Sequence, residues 1–363
     1  MGEATINKNN FMLNIALVTN IPAPYRERTH ELVFDHFEGH YNVVYCAERE
    51  ADREWKFQYG NYKKEILSKL HKNAVHNNYK IFAVLNRIKP DVVIIMGFYP
   101  TMIYSYLWTL LRGKQLIIFT DGTLISESHL SIIHRIVRKI IFSKAKAFIG
   151  PSIGASELYL SYKVNKDKFF RTYLCVDNES FFRKPLGDKE YDLMFSGQFI
   201  ERKMPFFFIE AAKGIKVAYG KCKVLILGSG PLKNEILELL KLYEIDYHYP
   251  GFIDQKELPK YYSNSKLFLF PTKNDPWGVV VNEAMASGLP VITCEEAGVA
   301  NDLVKHDLNG YILPLVEEQW VETAVRILND PAEYNRLSDN AIKLVTPYNS
   351  YNAAKGIIDA INS

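Results

Sequence analysis

From Leu13 onward, short β-branched and aliphatic runs alternate with longer stretches whose apolar positions recur at helical spacing. NIALVT, YNVVYC, DVVIIMG, QLIIFT and AFIG each precede a helical pattern, the rhythm of βα units in a parallel sheet. These runs are nearly continuously apolar instead of alternating, which implies helices on both faces of the sheet. The rhythm stops at residues 182–188, FRKPLGD, a polar stretch with Pro and Gly and no periodicity. It resumes with YDLMFSG, CKVLILG, DYHY, KLFLFP, LPVIT and GYILP. The expected fold is α/β, with two Rossmann-like doubly wound domains facing a cleft: residues 1–184 and 185–345. A last helix, 346–363, is expected to pack back on the first domain.

Length agrees with two domains, since single cores tend to stop growing beyond about 250–300 residues and this chain has 363. Hydrophobic residues make up 48%, with 23 Tyr and 21 Phe, ample for two cores. Lys and Arg number 44 against 41 Asp and Glu, a net charge of +3, so nothing calls for nucleic acid. Cys46, Cys175, Cys222 and Cys294 lie far apart, without metal-ligand spacing. No leader is visible ahead of them, and a reducing, cytoplasmic setting is expected. The most apolar stretch, 92–120, is broken by Pro100, Arg112, Gly113 and Lys114 and falls short of the ~20 uninterrupted residues of a membrane span.

Ligands in such open sheets bind beyond the carboxyl ends of the strands. Residues 275–293, DPWGVVVNEAMASGLPVIT, follow the strand expected over 266–270 and contain a loop, a helix and another strand. Gly278 opens the helix, Gly288 ends it and Pro290 starts the strand, in keeping with the positional preferences of Gly and Pro. Asp275 then lies in the loop, with Glu283 about a turn and a half into the helix. The helix N-terminus between them carries free N–H groups and about half a positive charge, which favours an anion such as a diphosphate. An ordinary βαβ unit with acids that cap and solvate its helix has the same pattern.

Two further segments bear on an anion. In LGSGPLKNEI (227–236), a turn joins a strand to a helix expected to start at Pro231. There Gly228 and Gly230 would let backbone approach a ligand closely. FSGQFIERKMP (195–205) puts Gly197, Arg202 and Lys203 just past the first strand of this half, where a cation could neutralise phosphate. Solvated basic residues at a helix start are at least as common.

In this order the motifs resemble the family 4 glycosyltransferases of the GT-B fold. Asp275 and Glu283 match the two acids of that family's E-x7-E motif, with Asp in the first position. The resemblance implies that Glu283 binds the nucleotide ribose, Asp275 the donor sugar and Lys203 the phosphates. Gln198 stands where many members carry Arg, and Met204 where they carry Gly; Arg202 is a candidate substitute cation. Gly197, Pro276, Trp277, Gly278 and Val279 complete the implied donor site. CVDNESF (175–181) resembles the family's segment at the domain junction. AGVANDLV and NGYIL resemble the one after the motif helix, with Gly298 and Val299 expected to line the donor cleft. In the first half, IPAPYR (21–26) resembles the start of many such transferases, and FTDGT (119–123) puts Asp121 at a carboxyl edge. His129 is read as an ordinary histidine.

The implied reaction moves a sugar from a nucleoside diphosphate, UDP ahead of GDP, to a hydroxyl of a glycan or lipid-linked acceptor, with retention and with no metal required. No closely spaced acid pair of the D-x-D kind follows a strand. A sugar-nucleotide epimerase, a glycosyl phosphorylase or a non-catalytic scaffold would share the cleft. A dinucleotide-dependent oxidoreductase is disfavoured, because NIPAPYR replaces G-x-G-x-x-G after the first strand. Segment 132–146, IIHRIVRKIIFSKAK, is a basic amphipathic helix. Either it packs its apolar side on the sheet, the common case, or it rests on the anionic inner face of a membrane.

Overall fold

The computed structural model describes residues 12–50, 58–69, 75–182, 188–251 and 253–363. Among them, the first sheet contains β1 (Leu13–Thr19), β2 (Gly39–Tyr45), β3 (Lys63–Ile66), β4 (Val92–Met96), β5 (Gln115–Phe119), β6 (Ala147–Gly150) and β7 (Phe169–Arg171). Its spatial order is β3-β2-β1-β4-β5-β6-β7. The second contains β8 (Tyr191–Ser196), β9 (Lys223–Leu227), β10 (Asp246–Gly251), β11 (Ser265–Phe270), β12 (Val291–Thr293) and β13 (Gly310–Ile312), in the order β10-β9-β8-β11-β12-β13. Neighbouring strands pair in parallel throughout both sheets. Each sheet therefore reverses direction beside its first strand, and the crevice that binds ligands in doubly wound folds lies at that reversal.

The apolar runs are buried on both faces. In β1, Ile15 and Leu17 join the cluster under one face while Ala16 and Val18 join the cluster under the other. The strands missing from the sequence reading are β3 and β7, both at sheet edges. β3 reads KKEI and is only partly buried, the charged character that protects an exposed edge from mispairing, so no apolar run announces it. The helix expected at Pro231 starts instead at Lys233. Pro231 occupies a turn, where the Leu232 N–H donates to the Phe199 carbonyl (3.2 Å).

Of the expected linker, residues 182–188, positions 183–187 lie outside the described residues. Leu174, Cys175, Val176 and Phe181, upstream of it, already pack in the second domain's cluster. The last helix, Ser350–Asn362, returns to the first domain, where Ala354, Ile357, Ala360 and Ile361 join Leu32 and Val33 beneath the sheet. All four cysteines are buried and free. No helix among the described residues is long and apolar enough to cross a membrane.

The helix Ile132–Phe142 departs from the common amphipathic case. Apart from Ile141, its aliphatic side chains do not pack on the sheet: Ile132 and Ile133 are 76% and 73% exposed, and Ile136 and Ile140 each 53%. Ile141 and Phe142 anchor the helix from the other side, together with the buried Arg138.

Candidate active site

Three strand ends of the second sheet meet beside its reversal point. After β11, Asp275 is held by its loop: its carbonyl accepts from the Gly298 N–H (2.8 Å), and its Oδ1 accepts from the Trp277 N–H (3.2 Å). Its other oxygen accepts from Lys203 Nζ, with Arg202 NH1 at 3.4 Å. Both cations come from the loop after β8. Burial on its own would raise the Asp275 pKa, but the Lys203 and Arg202 charges and the hydrogen bonds outweigh it and hold the carboxyl below the usual range. The resemblance gives Lys203 to phosphate and Asp275 to sugar as separate tasks; in the structure the two are paired.

The helix Val279–Ala286 begins at Gly278, whose φ of 100° and closeness to the Phe270 ring exclude a side chain. Glu283 projects from it and is 6% exposed. The Tyr262 hydroxyl donates to Glu283 Oε2 (2.6 Å), yet burial dominates and pushes this carboxyl up to about 7.

A cavity of about 380 Å³ is lined by Asp275, Lys203, Arg202, Glu283, Gly197, Gly228, Pro276, Trp277, Gly278 and Val279, with Asp121 reaching in from the first domain. The amide groups of the helix's first turn, which have no partner within the helix, open on this space. Gly230 is not part of the lining. A Cβ there would lie 2.6 Å from the Phe199 carbonyl oxygen, and one on Gly228 would lie 1.9 Å from the Gly197 oxygen. Both glycines thus admit the protein's own β8 loop, and Gly228 lines the cavity as well. Gly298 and Val299 do not line the cavity either: Val299 is buried, and a Cβ on Gly298 would meet the Pro276 carbonyl. Tyr262, which holds Glu283, lies in a helix with no sequence signal of its own. Met204 is left-handed, with φ of 48°, which accounts for glycine in this position among the family it resembles.

A second cavity, of about 950 Å³, lies on the first domain's side, lined by Asn20, Arg26, Tyr99, Glu127, His129 and Arg138 among others. Tyr25, Asp121 and Pro276 belong to both linings. Asp121 thus stands where the two spaces meet. His129 is exposed and lines the larger space without touching the smaller. In the larger space Arg138 pairs with Glu127 at 2.8 Å, a contact no motif announces. Burial raises the Glu127 carboxyl.

Residues 176–344 match the family described as glycosyl transferases group 1. Through this segment, the chain is similar to that family. An uncharacterised glycosyltransferase of Methanocaldococcus jannaschii is 27% identical over 49% of this chain and 47% of that protein. N-acetyl-α-D-glucosaminyl L-malate synthase of Bacillus anthracis is 24% identical over 83% of this chain and 79% of its own length. The chain spans less than half the length of the curated relatives it matches first. Anabaena HepE, solved in complex with UDP and glucose, superposes with a TM-score of 0.74 at 13% identity, covering 96% of this chain and 99% of that one. The fold is GT-B, two Rossmann-like domains facing a cleft.

Proposed function

We propose that the chain is a retaining glycosyltransferase that moves a sugar from a nucleoside diphosphate, UDP ahead of GDP, to a hydroxyl of a glycan or lipid-linked acceptor in the cytoplasm. The observation that carries this reading is the convergence of Lys203, Asp275 and Glu283, from three elements of the second domain, on one cavity at a helix N-terminus. Glu283 would accept hydrogen bonds from the ribose hydroxyls. The diphosphate would lie against the first-turn amides and draw Lys203, with Arg202, from Asp275, freeing that carboxylate for the donor sugar. The UDP complex of HepE supports the choice of base.

In the reaction the bond from the sugar's anomeric carbon to the diphosphate breaks and the acceptor oxygen attacks from the same face, its proton passing to the departing phosphate oxygen. Asp121, at the meeting of the two cavities, orients the acceptor hydroxyl. The charge on the leaving group is met by fixed cations and dipoles, usually the largest catalytic contribution. These replace a metal, so transfer should persist in excess EDTA.

Thermal unfolding with UDP-, GDP-, ADP- and TDP-sugars tests the donor site. A ligand at 100 times its Kd adds about 2.7 kcal/mol, a shift of roughly 5–11 °C for domains this size. One nucleotide class is expected to stabilise the wild type and to lose its effect on Glu283→Ala. Stabilisation by none of them at millimolar concentration would overturn the reading. Consumption of donor with no acceptor present would turn it toward an epimerase.

A further inference from the structure

The helix Ile132–Phe142 buries Ile141 and Phe142 in the core but leaves the rest of its aliphatic residues outside. Its inward side also carries polar groups: Arg138 and His134 line the large first-domain cavity, and Arg138 is buried against Glu127 and stacks 4.3 Å over the Phe98 ring. Its outward side is aliphatic. At 100° per residue, Ile132, Ile133, Ile136, Val137 and Ile140 fall within one arc of about 140°, and all five are exposed. Leu124 and Ile125, in the turn just upstream, are exposed as well. Around this stripe the charge has one sign. Arg135, Lys139 and Lys144 are exposed, and no acidic residue occurs between Leu130 and Lys146.

We propose that this face docks on an anionic phospholipid bilayer and that the acceptor enters the first-domain cavity from that bilayer. The inference rests on the reading of the cavity as the acceptor side of a glycosyltransferase and names its acceptor class, a lipid-linked sugar that offers a hydroxyl. Aliphatic side chains enter the headgroup region while lysine and arginine meet lipid phosphates, the combination that holds an amphipathic helix in a membrane interface. A second copy of the chain fits less well. A two-fold contact would set each basic residue against its own kind, whereas a bilayer surface supplies the opposite charge. The same helix bears the docking stripe on one side and cavity-lining residues on the other, so docking brings the cavity mouth to the lipid.

The test is cosedimentation with phosphatidylglycerol–phosphatidylcholine vesicles and with pure phosphatidylcholine vesicles. Binding is expected to the anionic vesicles only, and to fall as salt shortens the screening length from about 10 Å at 0.1 M to about 3 Å at 1 M. The Ile133→Glu/Ile136→Glu variant should bind roughly tenfold less or weaker, with its Tm and its UDP-sugar shift unchanged, since both positions lie on the surface. Lys139→Glu/Lys144→Glu should act likewise through charge alone. The proposal fails if the wild type stays in the supernatant with anionic vesicles at low salt, or if the aliphatic variant binds as well as the wild type. It fails too if analytical ultracentrifugation finds a dimer that the aliphatic variant splits while vesicles bind neither form. Because vesicle binding is read without donor, a wild type that answers to UDP-sugar but not to vesicles sinks this inference alone. One that binds vesicles but no nucleotide sinks the donor reading alone.

Discussion

Glu283 holds a carboxyl whose pKa is raised by burial from 4.5 to about 7. A carboxyl raised on folding stabilises the folded state most fully below 4.5, and that contribution is lost as pH rises through 7. Above 7 the folded chain therefore carries a buried charge, and Glu283→Gln should be more stable than the wild type at pH 8 by up to about 3 kcal/mol, while its nucleotide response disappears. Denaturant melts at pH 5 and pH 8 check the sign, because the difference should shrink at the lower pH. Asp275 behaves in the opposite way. Its pKa is lowered on folding, so its pairing with Lys203 stabilises the chain above the unfolded value of 3.8 and is lost as pH falls. Lys203→Ala should cost about 2–3 kcal/mol at pH 7, less than a fully orphaned buried charge because Arg202 remains, and the gap in Tm should close toward pH 3. The acids and the lysine were legible in the sequence because their spacing ties them to strand ends. Their pairing was not, since it depends on how two loops fold against each other. Gly228 does line the cavity, but what Gly230 and Gly298 approach, the Phe199 and Pro276 backbone, was hidden for the same reason: a glycine in a loop signals close approach but does not say to what.

At the scale of elements, the apolar runs located the central strands of both sheets, because burial on both faces forces continuous hydrophobicity. The edges stayed silent for two reasons: β3, KKEI, carries the charge that suits an exposed edge, and β7, FFR, is too short to form a recognisable run. The orientation of the helix Ile132–Phe142 was equally hidden, since periodicity reveals an apolar side without saying what it faces. The donor helix shows what a single glycine does for an element. Gly278 combines φ of 100° with a neighbouring Phe270 ring carbon 2.5 Å from where a Cβ would sit. Gly278→Ala should lower stability by about 2–4 kcal/mol, from backbone strain and overpacking together. Because the first-turn amides move with the backbone, nucleotide affinity should fall as well. Urea titration and UDP binding report the two effects separately, and intact stability in this variant would contradict the geometry.

Across the whole molecule, one buried carboxylate ties the domains together. Asp302, in the second domain, accepts from the Ile153 N–H at the start of a first-domain helix (2.6 Å), from Arg171 at the end of β7, and from the Tyr348 hydroxyl (2.7 Å). Tyr348 in turn stacks on Trp277 with ring centroids 5.9 Å apart, and the Trp277 N–H holds Asp275. The interdomain clasp and the donor acid are thus joined by contiguous contacts. If the proposed donor groups of the second domain and the larger cavity of the first act together, transfer depends on their relative placement while nucleotide binding depends chiefly on the second domain alone. Asp302→Ala should therefore lower kcat by about tenfold to a hundredfold, the scale of a misplacement near 1 Å, and leave the Kd for UDP within about twofold. It should also lower stability by about 2–4 kcal/mol, because Arg171 loses its partner. Steady-state rates beside UDP titration distinguish the two routes. If Kd rose as much as kcat fell, the clasp would be acting through Tyr348 and Trp277 on the donor loop, and domain placement would not be what it controls.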